Sequence, residues 1–121
     1  MLDRRGDLSR TLFSKKERIK KKSEITWIIL NGQKWECSGY RIYYEISNEK
    51  NDRVAVILSK KVGNAVKRNK IKRVFREIFR TKIRKNPPFY DVLIQPRRGI
   101  KINENKEIEN CFELWQTSSK K

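Results

Sequence analysis

The spacing of apolar residues along the chain predicts three helices. Ile25, Ile28 and Ile29 recur at helical spacing in a short segment, with Ser23 as its N-cap and Gly32 as its stop. The longest periodic segment runs to about residue 84, and its apolar face is formed by Ile71, Val74, Phe75, Ile78 and Phe79. A last amphipathic helix, roughly residues 103–115, carries Ile108, Cys111, Phe112 and Trp115 on one side.

Alternating and continuous apolar runs predict the strands between these helices. Residues 40–46 alternate as a half-buried strand does, with Tyr40, Ile42, Tyr44 and Ile46 on one face. The apolar runs at 53–59 and 90–96 predict two further strands, and a possible edge strand lies around Trp35. The resulting order α, β, β, α, β, α predicts an α/β (α+β) two-layer sandwich with a small sheet.

The length of 121 residues is that of one domain with a modest core. Residues 1–17 are polar and aperiodic, which indicates a flexible basic arm before a domain at 18–117 and a basic tail at 118–121. The arm has no apolar stretch of the kind that a secretory signal requires, so we expect a cytoplasmic protein.

The charge balance points to a polyanionic partner. Lysine and arginine number 31 against 14 acidic residues, which gives a net charge of +17. Nucleic acid and an anionic membrane would both fit this charge. The longest apolar runs, "ITWIIL" and "VAVIL", are far shorter than the roughly 20 residues of a membrane-spanning helix, so no membrane partner is expected.

The residue types that are absent or scattered restrict the chemistry. The chain has no histidine, which excludes histidine bases and histidine metal ligands. Its carboxylates do not form the cluster that a two-metal protein nuclease needs, so any nuclease activity should belong to a partner. Cys37 and Cys111 lack the spacing of a metal site, and we expect them to be reduced and to serve in packing.

The segment from Ser59 to Arg80 carries the strongest functional signal. On the predicted helix, Asn69, Lys72, Arg73, Arg76 and Arg80 lie opposite the apolar face, and Glu77 is the one acidic interruption. A merely solubilising face is the alternative, but such a face would be expected to alternate in sign. The turn of Gly63, Asn64 and Ala65 lets backbone N–H groups and the positive start of the helix approach a phosphate or a metal-bound water. The segment therefore favours binding of nucleic-acid phosphates.

The run "KKVGNAVKRNKIKRVFRE" closely resembles the arginine-asparagine-arginine motif of bacterial ribonuclease P proteins. The resemblance extends more loosely over residues 18–115. It implies an α/β sandwich whose motif helix lies in a left-handed β-α-β crossover, whereas general rules favour a right-handed one. It also implies an accessory RNA-binding subunit that helps a catalytic RNA remove the 5′ leader from precursor tRNA. Magnesium would be held by that RNA, the protein itself would hold no metal, and DNA would not be a partner.

The resemblance also assigns residues to two surfaces. The face that meets the catalytic RNA and the substrate near the cleavage site would comprise Lys60, Lys61, Asn64, Arg68, Asn69, Lys70, Lys72, Arg73 and Arg76. Lys70 replaces the second arginine of the motif and lacks its guanidinium fork. A cleft between the first helix and the sheet would hold the single-stranded leader, lined by Ile25, Ile29 and Tyr44. Ordinary core packing is the alternative for the two isoleucines, and no catalytic side chain follows from the resemblance.

Two other functions compete with this interpretation. A ribosomal or general RNA-binding protein would show the same charge pattern, and only the matched motif argues against it. A self-sufficient nuclease would need the histidines or clustered carboxylates that the chain lacks.

Overall fold

The computed structural model describes residues 18–37, 39–100 and 105–119. Its helices are α1 (Lys22–Asn31), α2 (Ala65–Lys82) and α3 (Asn105–Ser119), and a short 3₁₀ turn spans Lys60–Val62. Its strands are β1 (Gln33–Glu36), β2 (Tyr40–Ile46), β3 (Arg53–Val56) and β4 (Tyr90–Pro96). The possible edge strand around Trp35 is thus present as β1.

The strands form one mixed sheet in the order β1-β2-β4-β3. β2 pairs antiparallel with β1 and with β4, where Ile42 lies opposite Ile94. β3 pairs parallel with β4, and α2 makes the connection between these two strands. The chain just before α1 extends the sheet past β3, because Arg18 forms a parallel bridge with Val54.

The crossover from β3 through α2 to β4 is left-handed. The side chain of Ile94 lies in the core beneath α2, while its carbonyl accepts a hydrogen bond from the N–H of Ile57 on the β3 side. Consider a strand of L-residues that runs upward, and a residue in it whose side chain points at the viewer. The N–H and C=O groups of that residue then point to the right. Seen from α2, β3 therefore lies to the right of β4, and the chain moves leftward across the front. The resemblance predicted this handedness against the general rule.

The main core lies between the sheet and the pair α2 and α3. Trp115 is fully buried there, and its ring packs against Tyr44 and Tyr90 at centroid distances of 5.5 and 5.9 Å. The Tyr40 hydroxyl donates to the Ile108 carbonyl at 2.7 Å, and burial raises the pKa of this tyrosine. The α+β sandwich is confirmed, and the short α1 adds a partial layer on the opposite face of the sheet.

A partly buried ion-pair network links α1 to the sheet. The Arg53 guanidinium donates two hydrogen bonds of 2.8 Å to the Asp91 carboxylate and a third of 3.1 Å to Glu24 of α1. The hydrogen bonds to Asp91 are the main cause of a raised pKa of Arg53. Removing Arg53 would leave the buried Asp91 carboxylate without its partner, and Glu24 links this pair to α1.

Some predicted boundaries were wrong. Ser23 does not cap α1, because the helix begins at Lys22 and has no side-chain cap. The predicted stop at Gly32 is confirmed, because α1 ends at Asn31. A Cβ at position 32 would lie 2.6 Å from the Ile28 carbonyl oxygen, so a larger residue would not fit there without a shift. α3 continues to Ser119, past the predicted domain end at 117. The predicted arm at 1–17 and the tail residues 120 and 121 lie outside the described residues.

The prediction of two reduced cysteines was also wrong. Cys37 and Cys111 form a disulfide with a Cα–Cα distance of 6.1 Å, which links the end of β1 to α3. Both residues pack against the main core, as the sequence analysis expected of them. Over the described ranges, no helix has the length and apolar character needed to span a membrane.

Candidate nucleic-acid interface

The turn before α2 fixes where the basic segment begins. The Asn64 side chain accepts a hydrogen bond of 2.9 Å from the Lys67 N–H and so caps the helix. Gly63 has a φ of 157°, and a Cβ there would meet Lys67 Cδ at 2.6 Å. Val62 is buried beneath this turn. Lys60 and Lys61 are therefore held at the surface beside the start of α2.

The two sides of α2 have opposite roles. Ile71, Phe75, Ile78 and Phe79 are buried in the main core. The Phe75 ring meets Tyr40 edge-on at 4.9 Å, and Phe79 meets Phe112 at 6.1 Å. Packing on this side leaves the opposite side of the helix to solvent, which is where the predicted cations lie.

The structure brings the nine predicted RNA-binding residues together on α2 and the turn that leads into it. Six of them are exposed: Lys60, Lys61, Asn64, Asn69, Lys70 and Arg73. The other three, Arg68, Lys72 and Arg76, are half-buried along the edge of the helix that borders the core. We call this set of nine residues the basic face.

The positive charge of the basic face is not neutralised within the described part of the chain. Glu77, the acidic residue of α2, forms its ion pair with Arg80 rather than with any of the nine. The pKa of Arg76 is lowered, first by burial and then by the positive charge of Arg18. The face therefore presents unpaired cations to any polyanion that approaches.

One exposed apolar residue on this surface was missed by the sequence analysis. Val66 lies in the first turn of α2 and is 78% exposed. Its exposure beside Asn69, Lys70 and Arg73 adds an apolar contact to a charged surface. The signal was available, since Val66 does not fall on the apolar face of the predicted helix.

The predicted cleft residues Ile25 and Ile29 lie on the inner side of α1, as expected. Both are half-buried and pack with Ile28, Tyr43 and Leu93 on the second face of the sheet. They are thus part of a small apolar cluster, and their outer edges remain partly accessible.

The prediction that Tyr44 lines the same surface was wrong. Its side chain points into the main core, where it packs against Tyr90 and Trp115 and is 8% exposed. Successive residues of a strand point to opposite faces, so Tyr43 occupies the position beneath α1 instead. The strand was predicted correctly and the side-chain direction was reversed.

Tyr43 lies among polar and cationic groups at the open end of this sheet face. Its hydroxyl donates to Gln95 Oε1 at 3.2 Å and accepts from Arg41 Nη1 at 3.0 Å. Lys34 Nζ and the Arg41 guanidinium carbon lie 5.9 and 5.8 Å from the ring centroid. Arg41 forms an ion pair with Glu36, whereas Lys34 forms none among the described residues, so Lys34 makes the Tyr43 end of the cleft electropositive.

The other end of the same face is acidic. Glu24, Glu45 and Asp91 line a groove of about 470 Å³ beside Trp27, which is 52% exposed. Arg53 engages two of these carboxylates and leaves Glu45 unbalanced. A phosphate backbone would be repelled here, so the Tyr43 end is the electrostatically favourable entry for nucleic acid.

The cysteine and acidic side chains are dispersed over the described part of the structure. Among the described residues, no three cysteine or acidic side chains come together as a metal-binding group.

A mixed sheet that supports a helix with one core side and one unneutralised cationic side defines a nucleic-acid-binding protein of the α+β class. The family profile described as Ribonuclease P matches residues 13–118. The chain belongs to the ribonuclease P protein family. It is thereby an RNA-binding protein component of a ribonucleoprotein endonuclease of tRNA processing.

Individual relatives agree with this assignment. The ribonuclease P protein component of Petrotoga mobilis is 37% identical over 91 residues, which cover 75% of this chain and 77% of the relative. That of Dictyoglomus turgidum is 32% identical over 111 residues, covering 86% and 90%. A Staphylococcus aureus RNase P protein, solved as a mutant with defective mRNA degradation activity, has a TM-score of 0.73 at 32% identity and covers 88% of this chain and 90% of its own.

Two asparagines of the basic face should respond oppositely to alanine. Asn64→Ala should lower the free energy of unfolding by about 0.5–2 kcal/mol, because the cap bond to Lys67 is lost. Asn69→Ala is the matched control and should leave stability unchanged or raise it by a few tenths of a kcal/mol, since alanine is the better helix former. Urea unfolding of both variants measures this. Equal losses would contradict a capping role for Asn64.

Proposed function

We propose that the basic face binds the catalytic RNA subunit of ribonuclease P next to the cleavage site of precursor tRNA, in the cytoplasm. The observation that carries the proposal is the unneutralised basic face itself. Six of its residues are exposed, and no ion pair within the described residues uses any of the nine. Phosphates supply the missing negative charge, and the arginine forks can bind them bidentately.

The protein's part in the reaction is then affinity and positioning. Because the chain has no histidine and its described residues hold no carboxylate cluster, we assign hydrolysis to the RNA, which would hold the magnesium ions. α2 supplies a rigid base for the contacts, because its other side is fixed in the core by Phe75 and Phe79. Because the backbone that carries these cations is already fixed, little backbone freedom is lost on binding.

We further propose that the 5′ leader of precursor tRNA runs between α1 and the open end of the sheet. Ile25, Ile29 and Tyr43 form the floor of this path. Tyr43 is only 5% exposed, so a base cannot stack on its ring without displacing the cations beside it. Contacts from Lys34 and Arg41 to leader phosphates are therefore expected to contribute more than stacking.

RNA-free protein should not cleave precursor tRNA, and the protein assembled with the ribonuclease P RNA of the same genome should do so.

Arg73 tests the basic face. Arg73→Gln should weaken assembly about tenfold, the value of one hydrogen bond to a charged group, whatever the leader length. Lys50→Gln, an exposed cation of the β2–β3 connection, is the control and should change assembly by less than about twofold.

Filter binding of labelled RNA and cleavage of a precursor tRNA would measure both effects. Cleavage by protein shown to be free of RNA would refute the proposed division of labour. Equal losses for Arg73→Gln and Lys50→Gln would mean that net charge, not the basic face, determines binding.

Lys34 tests the leader path. It is exposed and has no ion pair among the described residues, so Lys34→Ala should leave the fold intact. The assembled enzyme should then bind precursor tRNA about two- to tenfold more weakly, while its affinity for mature tRNA is unchanged, since one exposed polar contact is lost. Fluorescence titration of both RNAs, with Lys50→Ala as control, measures the ratio. A loss of the same size for mature tRNA would rule out a leader-specific contact.

A further inference from the structure

Three of the cations on α2 form a row that differs from the rest of the basic face. Arg68, Lys72 and Arg76 are spaced by four residues and so lie along one side of the helix. They are half-buried, whereas Asn69, Lys70 and Arg73 are exposed. The row therefore follows the border where α2 meets the body of the protein, and not the crest of the helix.

Arg18 approaches this row from another element. It lies outside β3, held by its bridge to Val54 and by the hydrogen bond of 3.1 Å from the Ile19 N–H to the Val54 carbonyl. Arg18 is close enough to Arg76 for its positive charge to contribute to the lowered pKa of that residue. Arg18 and Arg76 thus belong to one positively charged region at this edge of the sheet.

Two nitrogen atoms at this border lack partners. Arg18 Nε and Arg68 Nε are shielded from solvent, and neither donates a hydrogen bond to any group. The ion pairs among the described residues use Arg41, Arg53, Arg80, Lys82 and Arg97. Arg18 and the three cations of the row are in none of them. A buried donor without an acceptor is destabilising, and so is a like charge nearby.

No acidic group among the described residues offsets these two costs, but an anion would offset both. A phosphate oxygen accepts hydrogen bonds from guanidinium Nε and Nη atoms together, and its charge relieves the repulsion between Arg18 and Arg76. RNA carries such groups at regular intervals, and the exposed residues of the basic face, which lie next to the row, already provide a path for its backbone.

We propose that Arg18 joins Arg68, Lys72 and Arg76 in a groove that binds a backbone phosphate of RNA. The groove carries the RNA-binding surface beyond α2 to the β3 edge of the sheet. This inference rests on the proposed function, because it takes the bound polyanion to be RNA. It assigns a role in binding to Arg18, which is not one of the nine residues of the basic face.

The test compares Arg18→Gln and Arg18→Lys with Arg98→Gln as a matched control. Arg98 is an exposed arginine on the turn after β4 and has no ion pair among the described residues. Binding of each protein to the ribonuclease P RNA is measured at several salt concentrations.

Arg18→Gln should weaken binding about tenfold or more and reduce the log–log salt slope by about 0.7–0.9, the value for one lost phosphate contact. Arg18→Lys should keep the slope and lose part of the affinity, because the charge remains and the fork is lost.

A second readout separates binding from folding. Urea unfolding of the free protein at low salt should show Arg18→Gln to be at least as stable as the wild type, since repulsion with Arg76 is removed. An arginine with a structural role would instead lower stability. Loss of stability, or an affinity loss no larger than that of Arg98→Gln, would overturn the groove. A wild-type protein that fails to bind the RNA at all would refute the proposed function itself, which is a different outcome.

Discussion

The packing of one side of α2 into the core is the constraint on which the rest of this structure depends. The other side of the helix carries the cations of the basic face, which repel one another and form no ion pair within the described residues. Such a helix would be poorly stable alone, because like charges at neighbouring positions are unfavourable. Contacts of Phe75 with Tyr40 and of Phe79 with Phe112 hold it in place. The core thus maintains a charged surface that is stabilised further only when an anion binds.

The left-handed crossover determines which edge of the sheet this surface borders. By crossing leftward over the front, the chain leaves β3 as an edge strand and places α2 next to it. The backbone before α1 then pairs with β3 and brings Arg18 toward Arg76. A segment distant in sequence is in this way added to the basic face. The same sheet presents its second face to α1, so the two proposed RNA contacts lie on opposite sides of one small scaffold.

Much of this arrangement could be predicted from the sequence, and the failures have physical causes. The period of two at residues 40–46 predicted β2, but Tyr43 and Tyr44 are both aromatic, and only the packing of α1 decides which one lies beneath it. Cys37 and Cys111 are 74 residues apart, and their pairing depends on how α3 docks against β1. Arg18 stands in a run of charges that gives no local sign of its contact with Val54. The amphipathic pattern of α2, by contrast, is local, so its two sides were predicted correctly.

Protection of lysines from chemical acetylation by bound RNA would show whether RNA covers the basic face. The rate of modification at each lysine is measured by mass spectrometry, with and without the ribonuclease P RNA. The account predicts that Lys60, Lys61, Lys70 and Lys72 are protected, whereas Lys50 and Lys106, which are exposed but outside the basic face, react as before. Uniform protection of all lysines, or protection that spares α2 and its preceding turn, would contradict the account.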